Sequence, residues 1–472
     1  MSETATSNHD RTAEEGDAQV KNANRSTTPG STFFRDYISQ GWEARQDEPT
    51  PRSEVAPYAK ARRDAISALH HGERLVIAAG DTKVRSNDDD YAYRAHSAFA
   101  HLTGWGSATV PGSLLVFEPT ADGHDVTLFF RKAAGRDTDE FYANPSIGEF
   151  WTGPRPSLEQ VSAHLDIATR DLGEFSATRG DVSEADPQLA QELSELRLVK
   201  DEWEVQQLRD AVAATSNGFD EILRALPRAT EHPRGERVVE GAFTARARLE
   251  GNDLGYSTIA AAGPHACYLH WSTNDGPVLP GDLILVDAGV EVDSYYTADV
   301  TRTMPIDGAF TTVQRRVYEA VLKAADDAFA IVKPGITFRE VHETALASIA
   351  KSLDAWGEIL PMSLDEALKP EHQPHRRYMV HGTSHLLGLD VHDCAQARRE
   401  MYLDGILEPG NVFTIEPGLY FHPGDLTVPE ELRGIGVRIE DDIVVTETGA
   451  ENLSAGIPRS ADDVEAWLAA HR

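Results

Sequence analysis

Four acidic residues stand in this chain where aliphatic ones are expected. In LILVDAG, Asp287 follows four aliphatic residues. In YYTADVTRT, Asp299 lies between alanine and valine, and in FTIEPG and VRIEDD, Glu416 and Glu440 each follow an isoleucine. These short apolar runs, bounded by Gly and Pro, read as strands. A carboxylate buried in a sheet without a partner costs several kcal/mol. Any one of the four could be met by a local hydrogen bond, or by Arg302 or Arg438. Four converging carboxylates cannot all stay ionised unless cations neutralise them. Two divalent ions would do so, and ions held in this way activate water and polarise a carbonyl, which is hydrolytic chemistry.

The stretch MVHGTSHLLGLDVHD adds three imidazoles, His381, His385 and His392. They could be satisfied core residues, a metal cage, or a mixture of ligands and proton carriers. Four carboxylates with one imidazole form an oxygen-rich set, suited to Mn or Mg, or to Co and Zn, rather than to copper. Other hydrolytic signatures fail. His342 and Glu343 begin an HExxH pattern, but Leu346 stands where the second histidine belongs, and there is no GxSxG elbow and no Walker loop.

These side chains need strands and helices to aim them. Arg438 and Glu440 are two apart in one strand run and so share a face, with Val437 and Ile439 on the other. Asp287 and Asp299 flank Gly289 and a polar tip, as in a hairpin that sets two strands side by side. The strand runs cover 282–289, 298–306, 411–418 and 436–446. A long helix opens after Asp201, whose capping box with Glu204 precedes a Val205, Leu208, Val212 stripe. Further helices are expected at 313–332, stopped by Pro334-Gly335, and at 338–353, opened by Thr337 and Glu340. Helices interleaved with hairpins make this half α+β. Ahead of it, YAKARRDAISAL (58–69) has helical spacing, and RLVIAAG (74–80), SLLVFEP (113–119) and DVTLFFRK (125–132) read as strands. This earlier α/β domain ends near residues 180–195, with the turn-rich TRGDVSEADPQ (178–188) as a boundary. Residues 1 to about 30 have almost nothing to bury and are expected to be disordered, with order starting near Phe33.

Composition narrows the partners. At 472 residues the chain can form two or three domains. A formal charge of -33 repels nucleic acid and anionic lipid. Two cysteines, Cys267 and Cys394, cannot build a disulfide framework and agree with a reducing compartment. The N-terminus lacks a basic start and an apolar core, so no secretory signal is expected, and no apolar run approaches the roughly 20 residues of a membrane helix. A cytoplasmic protein is the expectation.

In order along the chain, Asp287, Asp299, His385, Glu416 and Glu440 resemble the five-ligand site of the "pita-bread" metallopeptidases. That family includes methionine aminopeptidases, prolidases, aminopeptidases P and the metal-free creatinases. The strings DAGVE, DVTRTMP, HGTSHLLGLDVHD, TIEPGLY and RIEDD look most like aminopeptidase P. The segment DDDYAYRAHSAFAHLTGWG (88–106) resembles that family's N-terminal domain. The gap from Asp287 to Asp299 is one residue longer than in bacterial relatives, an insertion that a hairpin tip accommodates.

The resemblance implies an α+β chain: a tail over 1–32, a creatinase-like N-terminal α/β domain over 33–192, and a pita-bread catalytic domain over 193–472. It implies two divalent ions per subunit, Mn2+ by expectation, with Co2+ or Zn2+ accepted. Asp287 would bind one ion only, Asp299 and Glu440 would bridge both, and His385 and Glu416 would complete the other. Glu416 would also act as general base. His270, 17 positions before Asp287, would match the family's substrate histidine. His381 and His392 would match its two remaining active-site histidines and handle substrate, one donating to the carbonyl or tetrahedral oxygen and one gripping the proline side; Arg438 would match its arginine beside the bridging glutamate, with Tyr420 lining the pocket. The implied reaction removes an N-terminal residue that precedes proline. Implied partners are such peptides and further copies of the chain, as a homodimer or homotetramer in which one subunit's N-terminal domain shapes another's cleft; nucleic acid and membrane are not. A prolidase, cutting only Xaa-Pro dipeptides, is the nearest alternative. A non-catalytic pita-bread binding protein is a more distant one, since such relatives lose ligands that this chain keeps.

Overall fold

The computed structural model describes residues 27–471, apart from positions 46, 88, 146 and 358. The disordered tail expected at the start lies, up to residue 26, outside the described residues. A short helix, Thr32–Ile38, capped by Ser31, is the first element among the described residues.

Strict alternation builds the N-terminal half. Its elements are α1 (Ala56–Leu69), β1 (Leu75–Ala78), α2 (Ser97–Thr103), β2 (Leu114–Pro119), β3 (His124–Phe130), β4 (Ala168–Asp171), β5 (Val182–Ser183) and α3 (Pro187–Glu195). The strands form one sheet in the order β4-β3-β2-β1-β5. Leu75, Ile77, Leu115, Phe117, Leu128 and Phe130 face Ile66 and Phe99 of the helices. The residues between them, Val76, Val116 and Phe129, make a smaller cluster on the opposite face. The polar segment 178–188, expected as a boundary, holds an edge strand: Val182 pairs parallel with Leu75. An edge strand needs little apolar sequence, which is why it reads as a turn. The chain leaves this half after α3, through Leu196–Lys200.

The C-terminal half opens on α4 (Glu202–Thr230). The expected capping box is present, with Asp201 accepting from the Glu204 amide at 3.0 Å and Glu204 from the Asp201 amide at 2.9 Å. There follow α5 (Gly235–Glu250), β6 (Ile259–Ala262), β7 (Leu283–Ala288), β8 (Val300–Pro305), α6 (Thr312–Ile331), α7 (Phe338–Ala355), β9 (Val412–Ile415), β10 (Gly418–Tyr420), β11 (Gly436–Arg438), β12 (Asp441–Val445), β13 (Ala450–Asn452) and α8 (Ala461–His471). The strands pair as β8-β7-β6, β9-β12-β13 and β10-β11. On β7, Ile284, Val286 and Ala288 pack with Phe219 of α4, Phe243 of α5 and Val317 of α6. Leu285 lies on the other face, with Ile259, Ala261 and Tyr420. Asp287 falls on that second face by the strand period.

Two strand expectations need correction. The run 411–418 breaks between β9 and β10 at Glu416–Pro417, and the run 436–446 breaks between β11 and β12 at Ile439–Glu440. Pro417 has no N–H for a ladder. The Glu440 amide donates to Thr301 O of β8 at 3.1 Å rather than to either flanking partner. At each break the chain passes from one sheet to another, and the acidic residue stands at the crossing. The two halves share a core: Leu208 of α4, Tyr295, Tyr296, Leu387 and Val412 belong to the same apolar cluster as Phe99 and Trp105. Among the described residues, no helix is long and apolar enough to cross a membrane.

Candidate metal centre and active site

The hairpin of β7 and β8 pairs Ala288 with Val300, so Asp287 and Asp299 stand near one another at its loop end. Gly289 allows the approach, because a Cβ there would meet the Ala298 carbonyl oxygen at 1.8 Å. The Tyr256 hydroxyl lies between the two acids, 2.7 Å from Asp287 Oδ1 and 2.5 Å from Asp299 Oδ1. The strand break at 439–440 turns Glu440 toward them from a different sheet, and the break at 416–417 does the same for Glu416. His385 arrives on the loop before β9, held by its amide bond to Thr414 Oγ1. Its Nε2 is 3.2 Å from Asp299 Oδ2 and 3.8 Å from both Glu416 Oε1 and Glu440 Oε1.

Five candidate ligands therefore face one another, and their electrostatics show what the cluster lacks. Burial, with the charge of Asp287, pushes Asp299 above the usual carboxylate range. Burial and the charges of Asp299, Glu416 and Asp287 push Glu440 well above it. Glu416 rises too, through burial and its acidic neighbours, against the pull of His385 and Arg438. Burial opposes charge on His385, but the Asp299 hydrogen bond and the charges of Glu416 and Asp299 outweigh it and lift the imidazole to about 9. All of these shifts run in the direction of a cluster that favours added positive charge. The hydroxyl of Tyr256 has one hydrogen for two acceptors, which again calls for a shared positive charge.

Divalent cations fit that requirement. The nearest ligand atoms of Asp299, His385 and Glu440 all lie within 4.8 Å of one another. Two ligands at right angles, each about 2.1 Å from one ion, stand roughly 3 Å apart. The His385 Nδ1–H points to Leu386 O at 3.2 Å, which leaves Nε2 as the free donor on the carboxylate side.

The remaining candidates surround this cluster. A cavity of about 580 Å³ is lined by all four acids and His385 together with His270, His381, His392 and Arg438, and by the apolar Ile259, Leu269 and Val391. His392 sits edge-on to His385, ring centroids 4.4 Å apart, and burial with the neighbouring His385 charge lowers its basicity. His381 Nε2 accepts from the Tyr420 hydroxyl at 2.8 Å, and its Nδ1 is 3.6 Å from Glu416 Oε2. Burial and the Arg438 charge depress it to about 3, so it is a neutral imidazole here. Arg438 is buried and paired with Asp287 Oδ2 at 2.5 Å. Its Nη1 donates to the Tyr420 oxygen at 3.1 Å and its Nε to Thr301 Oγ1 at 3.1 Å, and the Thr301 hydroxyl donates to Glu440 at 2.7 Å. Tyr420 is placed differently from the pocket-lining position expected of it: it stands behind His381 and Arg438, joining them, and the cavity wall does not include it.

Of the two arginines offered as local partners, Arg438 does pair with a candidate ligand, whereas the fully buried Arg302 binds Asp441 at 2.8 Å and the Glu440 carbonyl at 2.7 Å. Sequence reasoning missed Tyr256 and Asp442. Asp442 is buried, accepts from the Asp299 amide at 3.2 Å, and is pushed well up by burial and the Asp299 charge. The acidic doublet after Glu440 was the one available signal for it. Tyr256 left none, because a tyrosine beside a strand is ordinary.

Residues 206–447 match metallopeptidase family M24, and residues 58–188 match the aminopeptidase P N-terminal domain. The chain is 49% identical over 452 residues to Xaa-Pro aminopeptidase 2 of Streptomyces coelicolor, covering 91% of this chain and 94% of the relative. It is 33% identical over 448 residues to the Xaa-Pro aminopeptidase of Escherichia coli, covering 88% and 98%. Among solved structures, zinc-substituted E. coli aminopeptidase P in complex with product superposes with a TM-score of 0.75 at 29% identity, over 89% of this chain and 99% of that one.

Proposed function

The chain belongs to metallopeptidase family M24, and from that premise we propose that it is a Xaa-Pro aminopeptidase that carries two divalent ions on Asp287, Asp299, His385, Glu416 and Glu440. It hydrolyses the bond between an N-terminal residue and a proline in second position. The observation that carries the reading is the convergence of five ligand-type side chains, two from one hairpin, two from strand breaks between the other two sheets and one from a loop, on one cavity that three further histidines and an arginine also line.

A bond to proline is a tertiary amide without N–H. It cannot be gripped by strand addition, so the ring must be recognised by shape, and Ile259, Leu269 and Val391 provide apolar walls. Ions held by the five residues supply Lewis acidity toward the scissile carbonyl and a more acidic water. The substrate amine is placed beside Asp287. Glu416 takes the proton of the attacking water and passes it to the leaving imino nitrogen. His270 and His392 face the carbonyl and proline side, and one of them donates to the developing oxyanion. Arg438 stays cationic and fixes Asp287, Tyr420 and Thr301 in one arrangement. His381 is held neutral against Tyr420 and limits the freedom of Glu416.

Manganese, a homodimeric or homotetrameric state and a cytoplasmic location belong to the same proposal. The oxygen-rich donor set supports the first, and two buried free thiols, Cys267 and Cys394, support the last. The test is an assay of the Mn2+-loaded protein on Arg-Pro-Pro and on Ala-Pro, before and after chelation. Release of arginine from the tripeptide, lost with chelator and restored by metal, is expected. Cleavage of Ala-Pro alone would make it a prolidase, and cleavage of neither would end the proposal.

A further inference from the structure

Resting on the reading of His270 as a substrate-handling residue, we propose that Glu236 of α5, a residue outside the cavity, is the positioning residue for it. Among the described residues nothing hydrogen-bonds the His270 ring, which is exposed on the cavity rim. Its direction is therefore set by the backbone of the segment 263–276.

That segment is pinned to the interior by two buried polar side chains. Asn274, at a positive φ of 48°, accepts from the Ala260 amide at 2.9 Å and donates to Thr258 O at 2.8 Å, copying a strand partner for β6. Glu236, 0% exposed, does more. One carboxylate oxygen accepts from the Ala262 amide at 2.8 Å and from His265 Nδ1 at 2.8 Å. The other accepts from Trp271 Nε1 at 2.9 Å and from the Gly276 amide at 2.7 Å. Four donors fill the four lone-pair directions of a carboxylate. They come from the start, the middle and the end of the segment, and the middle one is the residue next to His270. Trp271 also stacks on His265 with ring centroids 3.9 Å apart. Gly276 is required for this closeness, because a Cβ there would stand 2.6 Å from His265 and 2.9 Å from Glu236. Glu236 touches no substrate and no candidate ligand. It acts through Trp271 by holding His270 at one place on the rim.

Replacing Glu236 with Gln presents an amide N–H₂ to two of these donors and releases one arm of the segment. The test uses Glu236→Gln, the milder Trp271→Phe, which removes one donor and keeps the stack, and each of them combined with His270→Ala, all in the metal-loaded full chain. For Glu236→Gln, kcat/KM on Arg-Pro-Pro is expected to fall about 10- to 100-fold, and for Trp271→Phe about 5-fold, with metal content unchanged. In the His270→Ala background both losses are expected to shrink to less than 2-fold, since a positioning effect has nothing left to position. A merely structural role would keep its full penalty there. Amide hydrogen exchange over 266–275 is expected to accelerate at least 10-fold in Glu236→Gln while α5 keeps its protection. Additive losses in the cycle, or unchanged exchange, would overturn the proposal. If Glu236→Gln does not fold, Trp271→Phe decides by the same two readouts. A wild-type chain inert on Arg-Pro-Pro would instead sink the functional reading, while the exchange result would still decide whether Glu236 holds the segment.

Discussion

At the scale of single residues, the centre is a cluster of buried acids, three of which burial and their acidic neighbours push above the usual carboxylate range. His385→Ala or Glu416→Ala removes a charge-matched ligand, and turnover is expected to vanish, at least 10³-fold, with His385→Ala also lowering bound metal measured by emission spectroscopy. Tyr256→Phe is more informative. Its hydroxyl orients the facing oxygens of Asp287 and Asp299. Its loss is expected to weaken metal binding about 10- to 100-fold, read by calorimetric titration of the apo protein, with the fold intact. Unchanged affinity would mean the aspartates are fixed by Arg438 and the backbone alone. The four acidic candidate ligands were legible because an acid inside an aliphatic run violates the strand pattern. Tyr256 and Glu236 were not, since a tyrosine near a strand and a glutamate on a helix violate nothing.

At the scale of elements, the long helices and most strands followed from periodicity, capping boxes and Gly or Pro stops. α5 escaped because its buried stripe, Val239, Phe243 and Ala247, is thin and set among charged residues. The breaks at Glu416 and Glu440 escaped because alternation runs through them; only the competing sheets end the strands. The loop carrying His385 and His392 is anchored by a buried ionic group. Asp393 binds Arg197 Nε at 2.9 Å and Lys200 Nζ at 2.9 Å. Burial alone would raise its pKa, but the charges and hydrogen bonds of Lys200 and Arg197 prevail and lower it from 3.8 to about 2. A depressed carboxylate stabilises the fold fully above its unfolded value. That contribution, about 2 kcal/mol, is lost as pH falls from about 4 to 2. Asp393→Asn is expected to cost about 3–5 kcal/mol at pH 7, because two cations stay buried without a counter-charge, and to flatten the stability profile between pH 4 and 2 in urea titrations. A profile as steep as that of the wild type would show that other groups set the acid limit.

At the scale of the whole molecule, the formal charge of -33 works against compactness. Raising salt from 0.01 M to 0.15 M shortens the screening length from about 30 Å to about 8 Å. The melting temperature is expected to rise by about 2–5 °C over that range, followed by scanning calorimetry, and no rise would mean that surface ion pairs already cancel the field. The halves are joined by a common core and by the connector Leu196–Lys200, and here the Asp393 contact has a temporal meaning. Lys200 is separated from Asp393 by 193 residues. At about 5–20 residues per second, a ribosome takes roughly 10–40 s to cover that interval. During synthesis the sheet of the first half can close early, since β5 has already emerged. Its connector, however, keeps a hydrated, unpaired ammonium until the histidine loop is made. The latch between the halves is thus delivered late, by the very segment it will hold, and a nascent chain paused before residue 393 should keep its N-terminal half against the rest by the Leu208, Tyr295 and Tyr296 contacts alone, without this buried ionic clasp.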